Sequence, residues 1–549
     1  MKKLLISILL VIIGFSLSAQ SDITIEAPNR VPRFDIAEFV VRVKEPSFKN
    51  PFTDVELTGV FTANNTSTRV TGFADSQDGS VFRLRFSPAK ANVSYKYELT
   101  LNGSGLDRRF TGTLQSKSSD RSGPVIVDPV RPKHFIYEGS GKPFYHLGHT
   151  AYHLLDPSND DAQIESTIDY CLKNGFNKIR FLITGYPRDF DNRTSTDVEN
   201  GVPVSSLKSI NYGSLPGRVN PLPAWLGQPH KYDFERFNIA YWQRVDRTVR
   251  LLREKGIVAT CIMIIEKQDL PKELGKLTKD EYRLYRYAVA RLAAFDNVWW
   301  DLGNEHNEYR DAAWGNIMGT FVKEVDPYHR LASAHAYADF FYSGSKWADF
   351  IITQQYARDQ SKQDGEVQKI HDWVLNYWAI PKPYINEEYG YEGSTDKPVG
   401  HDQNNIWVRR CHWAITMAGG YATYGDQSGG VSYFYMGIPG PGKAAVHLKY
   451  LRSFFESLPF NDMTPNDSLV SKGFCLAKLP DTYVIYLPQG GTTVFDLSKI
   501  KTTGLNARWF DPRTGEWQDC PALSKGKNTL IAPTEDDWVL LVRNGRANK

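Results

Sequence analysis

In residues 298–308 an apolar run, Val298-Trp-Trp-Asp-Leu, stops abruptly at Gly303-Asn304-Glu305, and in residues 382–390 a second short run ends in Glu387-Glu388-Tyr389-Gly390. Two carboxyls held near one another can divide acid and base work. One stays protonated and donates to a departing oxygen, while the other is ionised and attacks carbon or activates water. That is the chemistry of glycosidic bond cleavage. A lone glutamate would read as a solvated loop residue or half of an ion pair, but each of these ends an apolar strand. Successive strand residues point to opposite sides, so at most one of Glu387 and Glu388 is expected to face a pocket.

Such acids need a scaffold that brings distant strand ends together. Residues 125–460 alternate short apolar strands with helical stretches such as 232–255 and 279–295, the rhythm of a parallel sheet. Eight strands are placed at 144–147, 178–182, 258–264, 298–302, 331–334, 350–354, 384–386 and 421–423, which predicts a (β/α)8 TIM barrel. Glu305 and Glu388 lie 83 residues apart. That distance gives three βα units of about 28 residues each and assigns the acids to the fourth and seventh strand ends. His335 after the fifth strand and Tyr356 after the sixth are expected in the pocket or supporting it. The longest gap between strands runs from Leu182 to Val258, and its first half, residues 184–230, rich in Pro, Gly and Asn, is expected to be non-helical and to shape specificity. Residues 20–115 and 462–549 carry short alternating strands and turns, predicting an N-terminal and a C-terminal β-sandwich domain.

These motifs resemble retaining glycosidases on (β/α)8 barrels. That resemblance implies that Asn304-Glu305 holds the acid/base, that Glu388 is the nucleophile, and that Arg180, in Gly175-Phe-Asn-Lys-Ile-Arg180-Phe, supports the nucleophile carboxylate. It also implies carboxyls roughly 5 to 5.5 Å apart and retention of anomeric configuration. More narrowly, Pro143-Phe-Tyr-His-Leu-Gly148-His149-Thr-Ala-Tyr152, Glu388-Tyr-Gly-Tyr-Glu392-Gly and Gly419-Gly-Tyr-Ala-Thr-Tyr-Gly425 resemble the apiosidase-like bacterial barrels. Those proteins carry a small β-domain before the barrel and a C-terminal domain of the collagen-binding-named type. On this resemblance Asn304, Arg180 and Glu392 join the substrate-binding candidates. His149 stands where that motif usually has Asp, and Asn304-Glu305 where it usually has Gly-Asp, so apiose does not carry over as the substrate.

His149, at a strand end, is read as a hydrogen-bond partner for sugar. His146, His149 and His153 lie close in sequence, but no acid stands between them and no Glu-containing zinc motif occurs, so neither a metal nor another cofactor is expected. The absence of a Gly-x-Ser-x-Gly elbow disfavours a serine esterase. Lys and Arg total 65 against 62 Asp and Glu, which leaves no electrostatic footprint for nucleic acid and points to a neutral partner. The glycosidase resemblance implies that this partner is a polysaccharide or oligosaccharide, expected to be of plant or algal type.

Residues 1–19 read as a cleavable signal, two lysines followed by an apolar run too short to span a membrane, so a secreted or periplasmic protein is expected. The five cysteines are too scattered for a disulfide scaffold, although export would permit a bridge between Cys475 and Cys520. The competing function is a non-catalytic carbohydrate- or matrix-binding protein on a barrel scaffold, whose signature would be loss of one carboxylate. A transglycosylase would use the same residues.

Overall fold

The computed structural model describes residues 22–156, 159–184, 198–199, 202–203, 224–228, 231–264, 274–337, 342–356, 363–394, 404–430, 433–500 and 504–544. Residues 1–19 and most of the gap at 184–230 lie outside them. Within that gap two antiparallel pairs are described, Val198–Glu199 with Val202–Pro203 and Trp225–Gln228 with Lys231–Phe237.

The centre is a near-closed barrel of eight parallel strands. The first, Gly148–Thr150, pairs with the second, Lys178–Leu182, and with the eighth, Tyr421–Tyr424. Around the ring follow Val258–Ile262, Val298–Asp301, a split fifth strand, Ile351–Gln354 and Tyr384–Asn386. The fifth strand pairs with the fourth through Ala332–Ser333 and with the sixth through Ala336–Tyr337. The break leaves Ala334 and His335 free of the regular ladder at the level of the candidate site.

Two elements differ from the sequence expectation for physical reasons. The apolar run predicted as the first strand, residues 144–147, plugs the floor instead, and the strand begins at Gly148. Phe144 N–H donates to Phe135 O at 3.0 Å, and Phe135 packs against Phe144, Trp299, Phe350 and Tyr421. The helix predicted from residue 232 starts only at Ile239, with Asn238 at its N-cap. Tyr232 and Phe234 alternate with charged residues at period two and stack around Trp225, which makes a strand the better burial.

Before the barrel, a four-stranded and a five-stranded sheet enclose one apolar cluster that includes Phe39, Phe61, Phe82, Leu99 and Leu114. Arg85 from this region is ion-paired with Asp246 at 2.8 Å, and Arg291 of a barrel helix reaches back to Asp75 at 2.7 Å. These buried pairs tie the N-terminal sheets to the barrel wall. After the barrel, a six-stranded sheet and a two-stranded antiparallel sheet form the C-terminal β-region. All five cysteines are free thiols. The bridge between Cys475 and Cys520 does not form, because three strands of the sheet separate the strand of Cys475 from the one that precedes Cys520. No helix among the described residues is long and apolar enough to cross a membrane.

Candidate active site

The second strand sets the chemistry. Alternation turns Lys178 and Arg180 into the barrel and Ile179 and Phe181 toward the helices. Arg180 is fully buried and spreads its donors over the strand ends around it. Its Nε donates to Asp301 Oδ2 at 2.9 Å, its Nη1 to the Tyr152 hydroxyl at 2.9 Å and to Glu388 Oε1 at 3.4 Å. Its Nη2 donates to Asn304 Oδ1 at 2.5 Å and to His335 Nδ1 at 2.7 Å. A planar guanidinium has five N–H donors in a fixed fork, so these partners are held in register with one another. Burial first, and then the Arg180 charge, holds His335 well below the usual histidine range, so the ring is neutral and accepts at Nδ1.

Glu388 lies just past the seventh strand, where strict alternation has ended. Its Oε1 accepts from the Tyr152 hydroxyl as well as from Arg180, and its Oε2 from the Tyr356 hydroxyl at 3.3 Å. Tyr391 also hydrogen-bonds to it while stacking on Phe434 with ring centroids 3.8 Å apart. Glu387 also lies inside the barrel, but beneath the site. It takes Lys178 Nζ on one oxygen and the Thr423 hydroxyl on the other. Burial opposes its charge, yet Lys178 and Arg180 outweigh burial and hold the carboxyl below its ordinary value. Glu387 is therefore a closed ion pair beneath the site, and Glu388 is the acid at the mouth.

Glu305 bends the chain at the end of the fourth strand with φ 45° and ψ 36°, a left-handed conformation that costs a non-glycine residue about 1–2 kcal/mol. Bonds on either side hold the bend: Asn304 N–H to Ile264 O at 3.0 Å and His306 N–H to His335 O at 3.1 Å. The half-buried Glu305 carboxyl is pushed up to about 8, first by burial and then by the charge of Glu388, while a hydrogen bond from the Gln354 side chain opposes the rise. It thus carries a proton at neutral pH beside a second carboxyl that is bound by Arg180 and tyrosine hydroxyls.

Of the residues singled out in the sequence, Glu305, Glu388, Asn304, Arg180, His335 and Tyr356 come together here. His149 and Glu392 do not. His149 pairs in register with Ile179 on the outward face, and its ring packs against Phe176, Tyr170 and Tyr424, so it cannot meet a sugar in the barrel mouth. Glu392 accepts from Lys443 N–H at 2.7 Å, Ala444 N–H at 2.9 Å and the Tyr424 hydroxyl at 2.7 Å. It caps the helix Ala444–Glu456, with both carboxylate oxygens engaged by the protein. Sequence reasoning missed Asp301, Gln354 and the roles of Tyr152 and Tyr391. An acid inside the apolar run Val298-Trp-Trp-Asp301 was the one available signal for an inward charge needing a partner. Tyr152, Leu182, Ile262, Tyr391, Phe434 and Tyr435 form an apolar cluster beside the carboxyls. Among the described residues no group of three His, Cys, Asp or Glu side chains is placed to hold a metal ion.

This architecture has solved counterparts. A structure described as a "putative glycoside hydrolase" from Bacteroides vulgatus aligns with 94% of this chain and 99% of its own, at 21% identity and a TM-score of 0.73. A glycoside hydrolase family 5 structure from the same species aligns with 78% of this chain and 94% of its own, at 18% identity and TM-score 0.60. At these identities the likeness concerns the fold. No curated protein matches the chain. Residues 30–102 match a domain of unknown function, DUF5060, and residues 465–543 match the family described as "putative collagen-binding domain of a collagenase". Residues 131–433, more than half the chain and every residue of the carboxyl site, match the apiosidase-like catalytic domain, and the chain belongs to that family of glycoside hydrolases.

Proposed function

We propose that the protein hydrolyses O-glycosidic bonds in plant or algal polysaccharide fragments with retention of configuration, Glu305 acting as acid/base and Glu388 as nucleophile. The observation that carries this reading is the contrast between the two acids. Glu305 is raised to about 8, with burial and the Glu388 charge as the main causes, whereas Glu388 is ringed by Arg180 and the hydroxyls of Tyr152, Tyr356 and Tyr391. A carboxyl that keeps its proton, facing one held by cationic and hydroxyl donors, suits a division into acid and nucleophile.

In the first step a Glu388 oxygen bonds to the anomeric carbon as the glycosidic C–O bond breaks, and the Glu305 proton passes to the departing oxygen. Glu388 becomes an ester and loses its charge. One of the forces raising Glu305 then disappears, so its affinity for a proton falls just when it must accept one from water. The activated water attacks the anomeric carbon, the ester bond breaks, and Glu388 is released as carboxylate. Arg180 and the tyrosine hydroxyls hold the nucleophile in place through both steps.

Labelling with a 2-fluoro glycoside followed by peptide mapping tests the assignment. A label on Glu388 is expected, and one on Glu387 or Glu392 would refute it. Proton NMR of the first-formed sugar tests retention, and an inverted anomer would overturn the double displacement while leaving hydrolysis in place. We also propose export, on the signal-like residues 1–19. N-terminal sequencing of protein recovered outside the cytoplasm should begin near Gln20.

A further inference from the structure

The amide of Gln354 is only half used. Gln354 ends the sixth strand, and its neighbour Thr353 turns toward the helix layer, donating to the Tyr384 hydroxyl at 2.8 Å, where Tyr384 packs on Tyr377. Alternation therefore sends Gln354 into the barrel mouth, where its side chain hydrogen-bonds to Glu305. Its Oε1 is buried with no hydrogen-bond partner among the described residues, and the whole residue is 6% exposed. A buried carbonyl without a donor is an unfavourable arrangement that a protein rarely keeps without use.

We propose that Gln354 is a positioning residue for Glu305 that serves both of its protonation states, donating from Nε2 to the carboxylate and, with the amide turned over, accepting at Oε1 from the carboxylic acid. Oxygen and nitrogen of a primary amide are nearly the same size, so the turn exchanges donor for acceptor without repacking. A lysine or arginine at this position would hold Glu305 ionised, and a carboxylate would hold it protonated. A group that donates a proton in one step and accepts one in the next is best matched by a partner indifferent to the change. This inference rests on the acid/base reading of Glu305.

The test follows Glu305 directly and needs no substrate. In difference infrared titration of the whole protein against Glu305→Gln, the protonated-carboxyl band of Glu305 should disappear with a midpoint near pH 8. Gln354→Met keeps the size but can neither donate nor accept. Its midpoint should rise by about one pH unit, because a hydrogen bond to the ionised form is worth more than one to the acid. In 15N-glutamine-labelled protein the Gln354 side-chain amide signal, identified by its loss in Gln354→Met, should shift with the same midpoint and stay constant in Glu305→Gln. An unmoved midpoint in Gln354→Met, or an amide signal that does not titrate, would overturn the proposal. Should Gln354→Met fail to fold, the amide decides alone: one glutamine side-chain signal should titrate in the unaltered protein and stay constant in Glu305→Gln, and the absence of any such signal would overturn the proposal. Absence of the protonated band in the unaltered protein would instead overturn the acid role of Glu305, and this inference with it.

Discussion

Replacing Glu305 by glutamine should stabilise the protein, and increasingly so as pH rises. The folded protein holds the Glu305 proton up to about 8 against an ordinary value of 4.5. The unfolded chain therefore releases this proton first. Stability contributed at this position is full below 4.5, declines as pH climbs through the window from 4.5 to 8, and is constant above it. At about 1.4 kcal/mol per pH unit the window is worth about 5 kcal/mol at pH 9 but only about 1 kcal/mol at pH 5. Glutamine keeps the shape without the charge, so it avoids the cost of an ionised group beside Glu388. The advantage of Glu305→Gln over the unaltered protein should thus be about 4 kcal/mol larger at pH 9 than at pH 5. Guanidinium denaturation of both proteins at both pH values, followed by tryptophan fluorescence of the barrel, measures it. An equal advantage at the two pH values, or one larger at pH 5, would refute the argument that Glu305 is forced to hold its proton.

The same protonation makes a kinetic statement: hydrolysis of substrates with poor leaving groups should fall as pH passes about 8, and an alkaline limb well below that value would contradict it. Glu305→Gln should abolish turnover of those substrates yet spare the glycosylation step with activated aryl glycosides, whereas equal mild losses on both would argue against acid catalysis. Glu392→Ala should cost about 1–2 kcal/mol in melting experiments by uncapping the helix Ala444–Glu456, with KM unchanged. His149→Phe should retain activity and gain up to about 1 kcal/mol of stability, because neither ring nitrogen has a hydrogen-bond partner among the described residues; a large loss of turnover would restore His149 to the site.

The sequence by itself determined the barrel, because strand alternation with helices is a local pattern. Seven of the eight strands begin within one residue of where periodicity puts them, among them 178–182 and 384–386 without change. It also marked the candidate acids, since an apolar strand that stops at Glu305 or at the pair Glu387-Glu388 is visible in one dimension, and the family resemblance chose Glu388 from that pair. Arg180 and Asn304 followed from the family resemblance, and His335 and Tyr356 from their places after strand ends. What it could not decide was direction. His149 sits on a barrel strand as surely as Arg180 does, but the apolar run before it was spent on the floor, so the strand begins at Gly148 and His149 faces outward beside Ile179.

Glu392 belongs to the same motif as Glu388, and only the tertiary structure brings the N-terminus of a helix fifty residues later onto its oxygens. The difference between Glu387 and Glu388 was likewise a matter of partners, Lys178 below and Arg180 above, two inward residues of one strand. The proton on Glu305 was expected from the acid/base resemblance, but its cause lies in the fold. It arises from burial and from a second carboxyl 83 positions away, and charge and desolvation act through space while sequence records only order along the chain.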